Sequence, residues 1–338
     1  MKERNASIDM FRLICAIMVI AIHTGPLSEL GHNWWYVATQ ILPRIGVPFF
    51  FCTMGYYYIG SLLKGQCRFG QTMKRLLITY GLWSVIYYIP DMKSVLNGGA
   101  SLIGFLTNCL RHFMIYGSRE HFWFFPAVFF SIIVATLFGK IGKLHWLAGI
   151  SVVAYILGLL GCSYYGIGNQ IPIIETFINS SQYGLIRRIV LMGFPFFMMG
   201  YFLQKVDLAR VSGKVAFILE GIFLIGFWTE IILVNKLQIQ VNVIITVFLY
   251  LLLFNTMLLL LKNPCVQYRK IAVVTRDVSN FMYYSHPLFM IWINIIMSTI
   301  AGRNATGTEL FLLAVITSGS IGYLLHRADN KYLNLLYK

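Results

Sequence analysis

Charged side chains are scarce in this sequence. Its 12 acidic and 27 basic residues make up only 12% of 338 positions, too few for a single water-soluble domain of that length. The six cysteines, Cys15, Cys52, Cys67, Cys109, Cys162 and Cys265, lie far apart, with no CxxC pair and no histidine at metal spacing. That argues against a zinc site or a disulfide framework and leaves them as small apolar fillers, with no metal expected. No small-x-small cleavage site follows the apolar run behind Lys2 and Arg4, and Arg12 interrupts that run, so the N-terminal stretch reads as a retained first helix.

What fills the sequence instead is apolar: 58% of the residues, with a mean hydropathy of +0.71. The expected fold class is all-α, a polytopic integral membrane protein of about ten transmembrane helices. Stretches near the ~20 residues needed to cross a bilayer fall at 7–26, 41–63, 75–90, 121–139 and 144–163, then at 186–203, 213–234, 242–261, 279–300 and 309–326. Two connections, 91–120 and 164–185, are long, and the apolar stretch 102–116 could lie in the membrane interface. No connection is long enough for a separate soluble domain, so residues 1–338 read as one transmembrane domain.

Placing the N-terminus in the cytoplasm puts eighteen of the basic residues on cytoplasmic stretches and eight outside, with Arg12 inside a span. The positive-inside rule therefore expects both termini in the cytoplasm. The formal charge of +15 is then explained by anionic lipid headgroups, and no nucleic-acid partner is expected.

Polar groups inside apolar spans carry the functional signal. Arg12 lies one and a half turns into the first span, where a central, lipid-facing cation would cost ~2.5–3.5 kcal/mol. It could pair with Asp9, snorkel, or face protein and water. His23 follows eleven residues later, within about 20° of the same helix face and ~16 Å further along. His286, followed by Pro287, sits where proline frees backbone carbonyls for a polar neighbour. His121 and Trp123 open the fourth span in HFWFFP, which also fits an aromatic belt. Lys74 and Arg75 read as a cytoplasmic anchor or as holders of phosphate.

Two spans repeat similar wording, PFFFCTMGYY and PFFMMGYF, each running inward from an arginine, Arg44 or Arg188. Small-residue helix packing explains the repeat as well as a shared outward-facing cavity does, in which the arginines would meet an anionic ligand.

The first span, SIDMFRLICAIMVIAIHTGPL, resembles that of the membrane acyltransferase-3 family, whose hallmark is an arginine, ten intervening residues and a histidine, here Arg12 and His23. RIGVPFFFCTMGYY, KRLLITYGLW, HFWFFPA and SNFMYYSHPLF follow in the family's order over nearly the whole chain. Many members carry two basic residues three apart before the third span; here the second is Arg75 and the first position holds Thr72, with Lys74 beside it. IHTGPL and GVPFFF look especially like the membrane module of the membrane-bound serine racemases of vancomycin-resistance clusters, which continue into a racemase domain absent from this sequence.

The resemblance implies an O-acyltransferase of the bacterial cytoplasmic membrane, moving an acyl group such as acetyl from acyl-CoA to a hydroxyl on a cell-envelope glycan or lipid-linked acceptor. His23 would be the general base and Arg12 the holder of negative charge. Arg75 and Lys74 would meet the acyl-CoA donor, and Arg44, Arg188, His286 and Trp123 the substrate. The alternative it implies is a module for L-serine uptake beside a racemase partner.

Overall fold

The computed structural model describes residues 5–99, 101–241 and 244–338. Lys2 and Arg4, and Asn242 at the start of the eighth expected span, lie outside the described residues. Among those described there is no strand. Helix α1 runs over Ala6–Thr24, α2 over His32–Leu62, α3 over Phe69–Asp91 and α4 over Leu102–Arg111. Then come α5 at Glu120–Lys140, α6 at Leu144–Leu160, α7 at Tyr183–Lys205 and α8 at Gly213–Lys236. The last three are α9 at Val247–Lys262, α10 at Val266–Ala301 and α11 at Gly307–Ala328.

Seven of these, α1, α2, α5, α7, α8, α10 and α11, are long and apolar enough to cross a membrane, and the chain is an integral membrane protein. Helices α6 and α9 are apolar but shorter, 17 and 16 residues, or about 25 Å against ~30 Å of hydrocarbon. Helix α3 has the length but carries Gln71, Lys74, Arg75 and three tyrosines. Length and composition thus support seven spans where the sequence reading expects ten.

Helix α1 is fixed at both ends. Asn5 caps it, its side chain accepting from the Ile8 amide at 3.2 Å while its Nδ2 donates to the Leu260 carbonyl of α9 at 2.8 Å, a cap worth ~1 kcal/mol. Gly25 ends it in the left-handed region at φ 66°, its N–H reaching the Ala21 carbonyl. Between these ends, Ile8, Cys15, Ala16, Val19 and Ile20 are fully buried, and α1 packs most extensively on α10, then on α2. Ala6 N–H donates to the Pro264 carbonyl at the foot of α10, and Thr275 Oγ1 to the Asp9 carbonyl at 3.3 Å. Helices α1 and α10 therefore run side by side in the same direction.

The two repeated segments meet each other. A Cβ built on Gly55 of α2 would stand 1.8 Å from the Phe197 carbonyl oxygen of α7, and one on Gly200 would stand 2.3 Å from the Tyr56 amide nitrogen. The repeat is thus a helix-packing device in which glycines bring two backbones into contact. Helix α4 has no buried residue and exposes Leu102, Ile103, Leu106 and Leu110, as an interfacial helix would. Cys15, Cys52 and Cys162 are buried, but Cys67 is exposed on the α2–α3 connection and fills nothing.

Candidate functional site

Arg12 points at protein. Its Nη2 donates to Asn280 Oδ1 of α10 at 2.9 Å, and its guanidinium carbon lies 5.8 Å from the centre of the Phe50 ring. Asp9 is close but looser, at 3.9 Å from Nη1. With 19% of the side chain exposed, the cation is shielded by α1, α2 and α10 together.

His23, at the other end of α1, stands in a cluster of three imidazoles. Its ring centre is 5.2 Å from that of His286 on α10 and 6.5 Å from that of His121 at the start of α5, and those two are 5.1 Å apart. His23 is exposed although protein atoms crowd around it. His121 and His286 are buried, and Nε2 of each has no hydrogen-bond partner. The exposed Glu120 carboxylate is near enough for its field to reach His23.

Local sequence explains how His286 is held. Pro287 has no N–H, so the Tyr283 carbonyl four residues back loses its helical donor. His286 Nδ1 takes up that carbonyl at 2.9 Å and the Met282 carbonyl at 3.1 Å. Two carbonyl acceptors place the proton on Nδ1 and leave a lone pair on Nε2. His121 is held through its backbone, whose carbonyl accepts from the Tyr283 hydroxyl at 2.7 Å. Tyr87 of α3 donates to the Tyr284 carbonyl at 2.8 Å and packs edge-on to His121. Arg119 in turn binds the Tyr87 carbonyl at 2.7 Å and Asp91 at 2.8 Å.

The cluster and Arg12 share neighbours. Phe50 lies under the guanidinium, 5.5 Å from the Tyr283 ring, and Tyr283 is 5.9 Å from His121 and 6.4 Å from His286. The arrangement can take and return a proton at one end and hold an anion at the other.

The remaining expected residues are placed differently. Trp123 shares a helical turn with His121, but its ring packs 5.5 Å from Phe51. Arg44 folds back onto Gln40, donating to its carbonyl at 3.0 Å and to its side-chain oxygen. Arg188 is exposed on a segment that packs chiefly on α5 and α6. Neither arginine contacts the histidines among the described contacts. Lys74 and Arg75 are exposed near the start of α3, and the fields of both Arg75 and Arg12 reach Tyr284. The described surface depressions lie elsewhere, one beside Gln66, Cys67 and Arg68, the other along 267–273. Among the described residues no group of three His, Cys, Asp or Glu has a metal-holding arrangement.

The sequence alone leaves His121 open between an aromatic belt and a site; a histidine directly before an apolar helix start, beside Arg119 and Glu120, is the available signal. Asn280 gives none, being an unremarkable amide until α1 packs against it.

Comparison with known proteins gives a family and two informative relatives. The profile of a family described as an acyltransferase domain matches residues 5–327. An amino-acid racemase of Enterococcus faecalis is 32% identical over 340 residues, covering 98% of this chain and 47% of the relative. A serine/alanine racemase of Enterococcus gallinarum is 27% identical over 332 residues, covering 95% of this chain and 44% of the relative. The chain thus spans about half the length of the curated relatives it matches. No solved structure matches it significantly.

Proposed function

The chain belongs to the acyltransferase-3 family, and from that premise we propose that it is a membrane-embedded O-acyltransferase. It would move an acyl group, acetyl in the first instance, from a cytoplasmic acyl-CoA to a hydroxyl of a cell-envelope glycan or lipid-linked acceptor. The observation that carries the proposal is the pairing on one helix of an exposed imidazole, His23, backed by His121 and His286, with the hydrogen-bonded guanidinium of Arg12.

In this reading the protein sits in a bacterial cytoplasmic membrane. Helices α3, α6 and α9 supply three further crossings to make ten, and both termini are cytoplasmic. His23 takes the proton of the acceptor hydroxyl as that oxygen attacks the thioester carbonyl. The C–S bond then breaks, and the departing thiolate receives the proton back. His286, its proton held on Nδ1 and its ring centre 5.2 Å from that of His23, keeps an Nε2 lone pair beside the imidazolium that forms there. Arg12 meets donor phosphate or developing negative charge, and Lys74 with Arg75 hold phosphates at the inner face.

The test is acyl incorporation into envelope material by cells carrying His23→Ala or Arg12→Ala variants that insert at normal levels. Loss in both is expected; wild-type incorporation in both would remove the mechanism.

The names of the relatives favour one second reading, a membrane module for L-serine uptake with Arg12, Arg44 or Arg188 meeting the carboxylate and a racemase as partner. Uptake of labelled serine into proteoliposomes separates the two, since the transferase should show none and the transporter should need no acyl-CoA.

A further inference from the structure

Residues 329–338 fold back beneath the bundle. The turn Leu333–Leu336 lays the chain against α3 and α11, and Tyr337 just beyond it reaches α10. There the Leu336 carbonyl accepts from Trp83 Nε1 of α3 at 2.9 Å, and the Tyr337 carbonyl accepts from Asn280 Nδ2 of α10 at 2.8 Å. The Tyr337 side chain is 1% exposed, packed at the Leu325 carbonyl and the Asn334 side chain. An ion pair from Lys338 Nζ to Asp329 at 2.8 Å closes the segment on itself.

Asn280 is therefore engaged from two sides. Its oxygen accepts from Arg12 and its nitrogen donates to Tyr337. Turning the amide over would set NH2 against a guanidinium and an oxygen against a carbonyl oxygen, losing both bonds at once. Each contact thus enforces the other.

We propose that Asn280 is a positioning residue for Arg12, set by the seated segment 333–338, so that seating of this segment and anion binding at Arg12 are coupled. The anion is a phosphate-bearing donor, which rests on the acyl-transfer reading; the coupling itself does not. Reciprocity requires that, by whatever factor an anion held by Arg12 favours the seated segment, the seated segment favour the anion over the unseated one by the same factor.

Two variants disturb the chain of contacts at different points. Asn280→Asp keeps an acceptor for Arg12 but presents oxygen to the Tyr337 carbonyl. Trp83→Phe removes only the bond to Leu336, away from Arg12. In the purified full chain, hydrogen exchange of amides 333–338 should rise about fivefold in each, the weight of one hydrogen bond. The acyl-CoA KM should rise in Trp83→Phe while kcat holds, a split that a merely structural segment would not produce. Faster exchange in Trp83→Phe at wild-type KM would overturn the proposal, as would wild-type exchange in Asn280→Asp. If no acyl transfer is found in any variant, exchange alone decides: Arg12→Gln should raise it at 333–338, and an unchanged rate there defeats the coupling while saying nothing for or against the transferase.

Discussion

The seam between α1 and α10 and the seam between α2 and α7 are both long helix contacts in one bundle, and they close in opposite ways. At α2–α7, Gly55 and Gly200 bring backbone against backbone with no space for a side chain. At α1–α10, Asp9, Arg12 and His23 face Thr275, Asn280 and His286, and two imidazole nitrogens at its histidine end have no partner. Between helices in lipid there is little hydrophobic drive, so close packing supplies the attraction. Buried polar groups left unsatisfied cost stability. The first seam closes by packing alone, and the second keeps the polar groups that the proposed transfer would use.

Substitution should separate the two seams sharply. Gly55→Val puts a branched side chain where even a Cβ falls 1.8 Å from a carbonyl oxygen. Helices α2 and α7 must then move apart, at about 3 kcal/mol or more. The expected result is loss of monodisperse folded protein in detergent, read by size-exclusion profile and thermal melt. A Gly55→Val protein melting with the wild type would refute the backbone contact. His23→Ala should do the reverse: acyl transfer falls by roughly 10²–10⁴, while the melt stays within about 0.5 kcal/mol of wild type, because His23 is exposed.

How much of this contrast the sequence discloses follows from the range of the interactions. The eleven-residue step from Arg12 to His23 is local helical geometry, and both residues do face α10. The carbonyl freed by Pro287 is equally local, and His286 takes it. The repeated PFF…GY wording is visible, but that its two copies pack on each other through Gly55 and Gly200 depends on a contact about 145 positions apart in the chain. Asn280 and Tyr337 gain their roles through similarly distant packing. His121 stays open in the sequence because an imidazole among aromatics fits a belt as well as a site until two other histidines are brought to it. The span count differs because membrane hydropathy is a property of single segments, whereas α3, α6 and α9 are short or polar pieces supported by neighbours.

A smaller effect sharpens the view of the histidine end. Pro287→Ala restores an N–H that can bond the Tyr283 carbonyl, competing with His286 Nδ1 for it. The ring then loses one of its two acceptors, and its tautomer is less firmly fixed. About a tenfold drop in transfer is expected, the equivalent of one hydrogen bond of ~1.4 kcal/mol, with the helix unchanged or slightly more stable. Transfer at the wild-type rate would show that the Tyr283 bond does not set the imidazole.

The gentlest test lies at the rim just past the C-terminal end of α1, where the chain is tied to the start of α11. Thr308 donates through its amide at 3.0 Å and its hydroxyl at 2.7 Å to the Glu29 carboxylate, and the Leu27 N–H donates to Thr308 Oγ1 at 2.9 Å. Hydrogen bonds favour the charged form, the Thr308 amide first, then the side chains of Thr306 and Thr308. The Glu29 carboxyl is accordingly held down from 4.5 to about 2. A lowered acid contributes stability that is fully present above its unfolded pKa of 4.5 and is lost as pH falls through about 2. Glu29 is fully exposed, so solvent screening keeps the effect small. Between pH 4.5 and 2 the thermal midpoint should fall less steeply in Glu29→Gln than in wild type, and the two curves should run parallel above pH 5. Identical slopes below pH 4.5 would mean that the rim contact does not hold α1 to α11, and that α1 is oriented by the α10 seam alone.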